Sequence, residues 1–410
     1  MTETDRTALP FGSAAGRAQV PAIDLVIVGG GPAGLTTALH VHAVAPHARI
    51  VVLEAETYPR EKICAGGIGA RGLTILGELG VELDCPMVNI DALAVRVGNE
   101  TIVTRERDLG VVVRRIEFDH SLARAAIGRG IAVRDGCAVT AITIDDAGAT
   151  VETALGDAYR ARAIVGADGV AGIVRRACGF PRGALRAQVI ELDTEMVAID
   201  QPRDTLAFDF TLRDLRGYAW DFPTFVAGEA KMCRGTYALL DGGERGATPR
   251  AAIERYLAAR GLDVASYRLK QFAERGFEPG AAISAPRVLL VGEAAGIDIA
   301  TGEGIAQAIE YGKAAGGYLA RALERDDFGF ANWRDYIERR HVGWQLRIRH
   351  ACYRAFYGAH RNAVERLMPR IGKLFRVGVQ DFAGKPLSKL AIAHGAGQFL
   401  AALAREGMRA

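Results

Sequence analysis

Apolar residues cluster along this chain in short runs that end on glycine or an acid. The first run, Ile23-Asp24-Leu25-Val26-Ile27-Val28, reads as a buried strand, because a strand covered on both faces need not alternate. Leu35 to Val44 follows with a helical pattern, and Ala48 to Leu53 is a second apolar run that stops at Glu54. Ala161 to Gly166 and Arg287 to Val291 repeat the strand signature, leading into Asp168-Gly169 and Gly292-Glu293. Between these runs the period changes to two. Residues 90–114 alternate like two or three strands, and further strands are predicted near 131–134 and 138–153. Short helices are predicted near 69–80 and over Phe118 to Gly130. Alternation dominates 185–275, with a helical insert near 247–260; a helix is predicted over 303–325 and a helical pattern over 328–410.

Buried runs interleaved with helices imply an α/β fold built on a parallel sheet. The pattern predicts a discontinuous Rossmann-like domain over 22–90, 110–182 and 276–326. A β-rich domain, 91–109 with 183–275, is inserted into it, and 327–410 forms a helical C-terminal segment. Residues 1–21 are polar and small; they read as a disordered lead-in without the apolar stretch of a signal peptide.

The first turn of that frame carries specific chemistry. Gly29-Gly30-Gly31-Pro32-Ala33-Gly34 sits between a predicted strand and a predicted helix. There the glycines allow a tight turn, approach of backbone to a pyrophosphate, and close packing of helix on strand. The helix N-terminus offers unpaired N–H groups and partial positive charge. Glu54, about twenty residues past Gly34, ends the next strand, where an acid accepts hydrogen bonds from a ribose hydroxyl. Gly29, Gly31, Ala33, Gly34 and Glu54 are therefore candidate dinucleotide contacts. Gly67-Ile68-Gly69-Ala70-Arg71-Gly72 fits the same pattern but follows a charged loop, Pro59-Arg60-Glu61-Lys62, so a phosphate role is not expected there.

Composition narrows the class only slightly. Of 410 residues, 50% are hydrophobic and 24% charged, as in ordinary soluble proteins, and the net charge is +3. The six cysteines are scattered without a C-x-x-C pair, which argues against a zinc site or disulfide framework and for a reducing, cytoplasmic setting. No apolar run is long enough to cross a bilayer. No metal is expected. Residues 334–376 are rich in arginine, with Trp344, Tyr353, Phe356 and Tyr357 interleaved. That pattern reads as a membrane-surface element, a diphosphate-binding element, or a solvated basic face; nucleic-acid binding has no supporting motif.

Further acids sit at strand ends, where open α/β sheets bind ligands. They are Asp168 in Gly166-Ala167-Asp168-Gly169 and Glu293 in Gly292-Glu293-Ala294-Ala295-Gly296, followed by Thr301-Gly302-Glu303-Gly304 at a helix start. The order of these motifs, with Val113-Arg114-Arg115-Ile116-Glu117-Phe118-Asp119, resembles the flavoprotein group of aromatic hydroxylases, flavin halogenases and geranylgeranyl reductases. The resemblance implies a Rossmann-like FAD-binding domain over roughly 22–325. It implies FAD contacts at Arg115, Asp168, Glu293, Gly302 and Gly304 beside those of the first turn.

Pro59-Arg60-Glu61-Lys62-Ile63-Cys64-Ala65-Gly66-Gly67 and Gly217-Tyr218-Ala219-Trp220-Asp221-Phe222-Pro223 are similar to two motifs of geranylgeranyl reductases. In a strand, Tyr218, Trp220 and Phe222 fall on one face and offer an aromatic wall to an isoprenoid chain. The resemblance adds Pro223 to that substrate site. It gives Cys64 a catalytic or gating place near the flavin, and Arg60 and Lys62 are expected to lower its thiol pKa. The implied activity is FAD-dependent saturation of prenyl C=C bonds, with hydride from flavin N5 and a proton from an acid near Cys64. NADPH or a ferredoxin would supply electrons, and a peripheral membrane location suits the substrate. A monooxygenase or halogenase, and a flavin-containing lipid-binding protein without turnover, remain as alternatives. Ala65, Gly172, Glu293 and Ile299 depart from the family's usual residues.

Overall fold

The computed structural model describes residues 23–240, 246–358, 361–367, 372–385 and 397; the predicted lead-in lies outside them. In chain order the first half comprises β1 (Ile23–Val28), α1 (Pro32–Val44), β2 (Ile50–Leu53), β3 (Gly67–Gly69), α2 (Ala70–Glu78), β4 (Met87–Val97), β5 (Glu100–Val113), α3 (Arg115–Ile127), β6 (Ala132–Arg134), β7 (Val139–Asp145), β8 (Gly148–Thr153), β9 (Ala158–Gly166) and α4 (Ile173–Ala177). There follow β10 (Arg186–Thr194), β11 (Thr205–Asp209), β12 (Gly217–Val226), β13 (Glu229–Leu239), α5 (Pro249–Ala258), β14 (Lys270–Arg275), β15 (Ser284–Ala285), β16 (Val288–Leu290) and α6 (Ile305–Arg325). The tail adds α7 (Trp333–Glu338), α8 (His341–Phe356), α9 (Arg361–Leu367) and α10 (Gly372–Phe382).

Two sheets organise these elements. The first runs β15-β16-β9-β1-β2-β6, with the β7–β8 hairpin added through β8 to β9. Its β1, β2, β6, β9 and β16 are mutually parallel, as the unalternating apolar runs predict. Every residue of β1 and β2 is buried. α1 lies against α6 at very short range: a Cβ on Gly312 would meet Thr36 Cβ at 2.7 Å, and one on Gly316 would meet His40 Cβ at 2.3 Å. Only hydrogen side chains let the two helices approach this closely.

The second sheet runs β14-β10-β13-β12-β11-β4-β5-β3. The whole of β4 and β5 belongs to it, so this sheet takes in residues on both sides of 91–109. The Gly67 motif differs from its sequence reading. Gly67–Gly69 is itself a strand, paired antiparallel to β5, and it enters α2 directly. A phosphate role still fails there, because the glycines are needed for protein contacts. A Cβ on Gly69 would lie 2.5 Å from the Phe382 carbonyl, and one on Gly72 would lie 3.1 Å from Ala306 Cα.

Helices α8 and α10 close over the inner face of the second sheet. Tyr353, Tyr357 and Val379 join its apolar cluster with Tyr218, Trp220, Phe222 and Tyr237. On the outer face a buried ionic network fixes β12. Arg234 (0% exposed) donates to Asp200 at 2.7 and 2.8 Å, to Asp221 at 2.6 Å and to Thr194 at 2.8 Å. Asp221 also accepts from Tyr256 and Arg260, at 2.8 and 2.7 Å. No helix among the described residues is long and apolar enough to cross a membrane.

Candidate active site

Two cavities, of about 470 and 400 Å³, meet between the sheets. The first begins at the carboxyl ends of β1 and β9 and carries Gly29, Gly31, Ala33, Glu54, Arg115, Asp168, Glu293, Gly302 and Gly304 on its walls. Gly34 stands just behind: its Cβ would fall 1.9 Å from the Gly29 carbonyl. Gly29 has φ +107° and would drive a Cβ to 2.3 Å from the Ala167 oxygen. A Cβ on Gly31 would meet only the guanidinium groups of Arg115 and Arg60, at 3.6 and 3.8 Å. Ala33 packs against Gly292 on the turn after β16.

Charge is arranged around that cradle. Glu54 accepts the Gly30 N–H at 2.8 Å and pairs with Arg60 at 3.1 Å. Asp119, fully buried in α3, holds Arg115 through two bonds of 2.7 Å and Arg60 at 3.0 Å. Two guanidinium groups thus stand over a glycine turn, which suits a pyrophosphate. Asp168 Oδ2 accepts the Val174 N–H at 2.8 Å, while its Oδ1 and Glu293 Oε1 are buried without a hydrogen-bond partner. Burial raises the Asp168 carboxyl to about 6 and lifts that of Glu293 as well. Orphaned acceptors beside a glycine cradle fit a dinucleotide rich in hydroxyls, and the residues present therefore fit FAD. The structure also accounts for one departure from the family pattern. A Cβ on Gly172 would strike the Asp168 carboxylate at 2.1–2.4 Å, so a serine would displace that acid.

The second cavity is apolar. Tyr218, Trp220 and Phe222 line it together, with Phe208, Phe210 and Tyr237 beside them. Their rings interlock: Tyr218 stacks on Tyr237 at 5.1 Å, and Phe222 meets Phe208 edge-on at 5.3 Å. Pro223 is not among the lining residues; at period two it shares the opposite face with Asp221, so the structure does not bring it to the wall. Cys64, Phe272, Glu274, Gly302, Gly304 and Ile305 border both cavities.

Cys64 stands at this junction, but its expected acidity is reversed. Burial pushes the thiol pKa up, against a smaller lowering by Arg115. Arg60 is engaged by Glu54 and Asp119, and the Lys62 ammonium sits 4.8 Å over the Phe272 ring. The basic C-terminal segment is also partly turned inward. Arg349 of α8 pairs with Asp298 at 2.7 Å and with Glu303, next to the α6 start. Sequence reasoning missed Asp119, Tyr237, Glu191 and Glu274, of which only Asp119, inside the Phe118-Asp119 motif, carried a signal; Arg349 was read only as part of the basic segment 334–376. No cluster of metal-ligating side chains occurs among the described residues.

Comparison with known proteins agrees with this geometry. Residues 22–327 match the family described as FAD binding domain. Over 349 residues the chain is 27% identical to digeranylgeranylglycerophospholipid reductase 2 of Methanothermobacter thermautotrophicus, covering 79% of this chain and 84% of that protein. A geranylgeranyl bacteriochlorophyll reductase-like protein from Thermoplasma acidophilum superposes with TM-score 0.73 at 20% identity, over 93% of this chain and 98% of that one. A flavin-dependent brominase superposes with TM-score 0.70 at 17% identity, over 92% and 98% of the two chains. At these identities the structures share a fold and nothing narrower.

Proposed function

The chain belongs to the FAD-binding domain family and is an FAD-dependent oxidoreductase, and from that premise we propose that it saturates C=C bonds of an isoprenoid chain. One observation carries the reading: an aromatic cavity of about 400 Å³ opens onto the FAD cavity across Cys64 and Gly302. A prenyl chain has methyl and methylene groups to bury and almost no hydrogen bonds to make. Tyr218, Trp220, Phe222 and Phe208 offer it dispersion contacts and exclude water. FAD, when bound and reduced, supplies a hydride from N5. Gly29, Gly31, Ala33, Gly34 and Glu54 would hold its dinucleotide half, with Arg115, Asp168, Glu293, Gly302 and Gly304 along the remainder. Cys64, at the junction, stays a neutral thiol and borders the passage between lipid and cofactor. The likeness to digeranylgeranylglycerophospholipid reductases supports a lipid-linked prenyl substrate.

NADPH or a ferredoxin serves as electron donor in this reading. The half-exposed Trp344, with the exposed Arg347 and Arg354 of α8, would meet the membrane that holds the lipid. The test is anaerobic incubation of the dithionite-reduced holoprotein with geranylgeraniol and a prenyl-lipid extract, read by mass spectrometry. Gain of a hydrogen pair is the expected result. Failure to saturate any prenyl chain there, with rapid substrate-linked consumption of oxygen when the reduced protein is mixed with aerated buffer, would instead favour monooxygenase or halogenase chemistry.

A further inference from the structure

Glu274 stands where the two cavities join. It lies in β14, whose register with β10 runs Lys270–Arg275 against Glu191–Arg186. Alternation puts it on the same face as Phe272, and both residues border both cavities. Glu274 is 8% exposed, and its Oε2 is buried with no hydrogen-bond partner. Gly302, on the loop before α6, leaves its approach open: a Cβ there would stand 3.1 Å from that oxygen. A buried carboxyl group without a partner is costly, and such groups mark functional positions.

We propose that Glu274 is the catalytic acid of this site, giving its carboxylic proton to one carbon of the prenyl double bond while the other carbon takes the hydride. This rests on the reductase reading. The balance is simple: the π pair of the alkene forms the new C–H bond to the Glu274 proton, and hydride from reduced FAD forms the second. Alkene, proton and hydride become alkane, the cofactor is oxidised, and Glu274 is left as a carboxylate that regains a proton from water after release. A trisubstituted prenyl bond accepts the proton at its CH carbon, because positive charge is better borne at the methyl-bearing carbon. The faces of Tyr218, Trp220 and Phe222 stabilise that developing charge.

The surroundings favour a protonated acid. Glu293 and Asp298 approach from the segment after β16, Glu191 from β10, and Lys62 from the loop before β3. Burial first, then these carboxylates, hold the Glu274 carboxyl well above its ordinary value, and Lys62 offsets them only in part. The neighbouring donors are occupied or weaker. Tyr218 donates to the Thr301 carbonyl, and Tyr237 donates to that of Ile299 at 3.0 Å. Glu303 is paired with Arg349. Glu191 accepts the Cys64 N–H at 3.1 Å and lines neither cavity. The Cys64 thiol is a weaker acid than a carboxyl group.

The test compares wild type with Glu274→Gln, reconstituted with FAD, reduced with dithionite and mixed anaerobically with geranylgeraniol in D₂O. The variant is expected to keep its flavin absorbance and lipid affinity but to lose about 10²–10⁴-fold in single-turnover rate. Deuterium should enter both carbons of each bond reduced, because the N5 hydrogen of reduced flavin exchanges with D₂O as the Glu274 carboxyl proton does. Infrared spectra of the oxidised holoprotein at neutral pH should contain a carboxylic-acid carbonyl band that Glu274→Gln removes. Glu274→Asp keeps the acid at shorter reach and should retain the band with part of the rate. A Gln variant as fast as wild type, or an unchanged infrared band, overturns the assignment of Glu274 alone. A wild-type protein that saturates nothing refutes the reductase reading, and the proton transfer with it.

Discussion

Gly235 is the position where the aromatic wall is most sensitive to a single methyl group. It pairs with Trp220 across β12 and β13. A Cβ at Gly235 would lie 2.1 and 2.3 Å from two indole carbons of Trp220, and 2.6 Å from the Ile190 carbonyl. Ordinary contact needs about 3.5 Å, so the ring must shift by more than 1 Å and the carbonyl by nearly as much. The indole can yield only into the cavity, while the carbonyl belongs to β10 and can yield only with its strand. Gly235→Ala should therefore cost about 1–3 kcal/mol, the range of overpacked cores. If even 1.4 kcal/mol of that falls on the lipid-bound state, affinity for a prenyl chain drops about tenfold. Urea denaturation and geranylgeraniol titration of the holoprotein measure the two terms. Trp220→Phe in the same background should restore part of both, a coupling of about 0.5 kcal/mol or more. As a control, Gly77→Ala in α2 meets nothing within 4 Å and should stabilise by about 0.5–1 kcal/mol. A Gly235→Ala protein with wild-type stability and wild-type lipid affinity would refute the placement of the indole over this glycine.

Gly34→Ala would bring a methyl group to 1.9 Å from the Gly29 carbonyl, so the protein should purify without its yellow colour; a flavin-replete variant would contradict the cradle. Arg234→Met leaves the buried Asp200 and Asp221 carboxylates without their shared cation and should cost about 3–5 kcal/mol in urea denaturation. A loss below about 1 kcal/mol would mean that the network does not anchor β12. His341, between Glu310 at 2.8 Å and Asp381 at 3.1 Å, has its pKa raised from 6.5 to about 9 by those hydrogen bonds, against burial. Its folded pKa exceeds its unfolded one, so its contribution is complete below pH 6.5 and fades as pH rises through about 9. Stability should fall across that window by on the order of 1–2 kcal/mol, allowing for a ring that solvent partly screens, and His341→Gln should flatten the slope.

The parallel sheet was legible because β1, β2 and β16 are buried throughout and write themselves as unbroken apolar runs. The glycine turn and Glu54 were legible because strand, tight turn, helix, strand and acid follow one another in the order that a dinucleotide requires. β3 was not, since Gly-Ile-Gly has neither period nor length, and its strand geometry comes only from pairing with β5. Lys270-Gln271-Phe272-Ala273-Glu274-Arg275 reads like the wet face of an edge strand. The α6 loop and the surrounding acids bury Glu274 from outside the strand, where no local pattern can record them. Cys64 failed on acidity for the same reason. Arg60 and Lys62 are its neighbours in sequence, but one faces Glu54 and Asp119 and the other an aromatic ring. Pro223 came in with a motif, although the period-two rule that groups Tyr218 with Phe222 already assigns it to the other face.

The aromatic wall and the start of α6 act as one mechanical unit. Tyr237 from β13, Tyr357 beyond α8 and Tyr218 from β12 donate their hydroxyls to the carbonyls of three successive residues, Ile299, Ala300 and Thr301. Each bond is worth about 0.5–1.5 kcal/mol, and all three hold the same short segment. That segment leads into Gly302 and Gly304, which border the first cavity, while the rings of the same tyrosines border the apolar one. A chain that shifts those rings therefore pulls on the loop facing the cofactor. Tyrosine satisfies both demands where phenylalanine could not: its face is apolar enough for a prenyl chain, and its hydroxyl fixes the backbone that would otherwise move independently. Phe substitutions at 218, 237 or 357 keep the greasy surface and cut only the tether. Any loss they cause in cofactor affinity, with lipid binding retained, measures how strongly the two cavities are coupled.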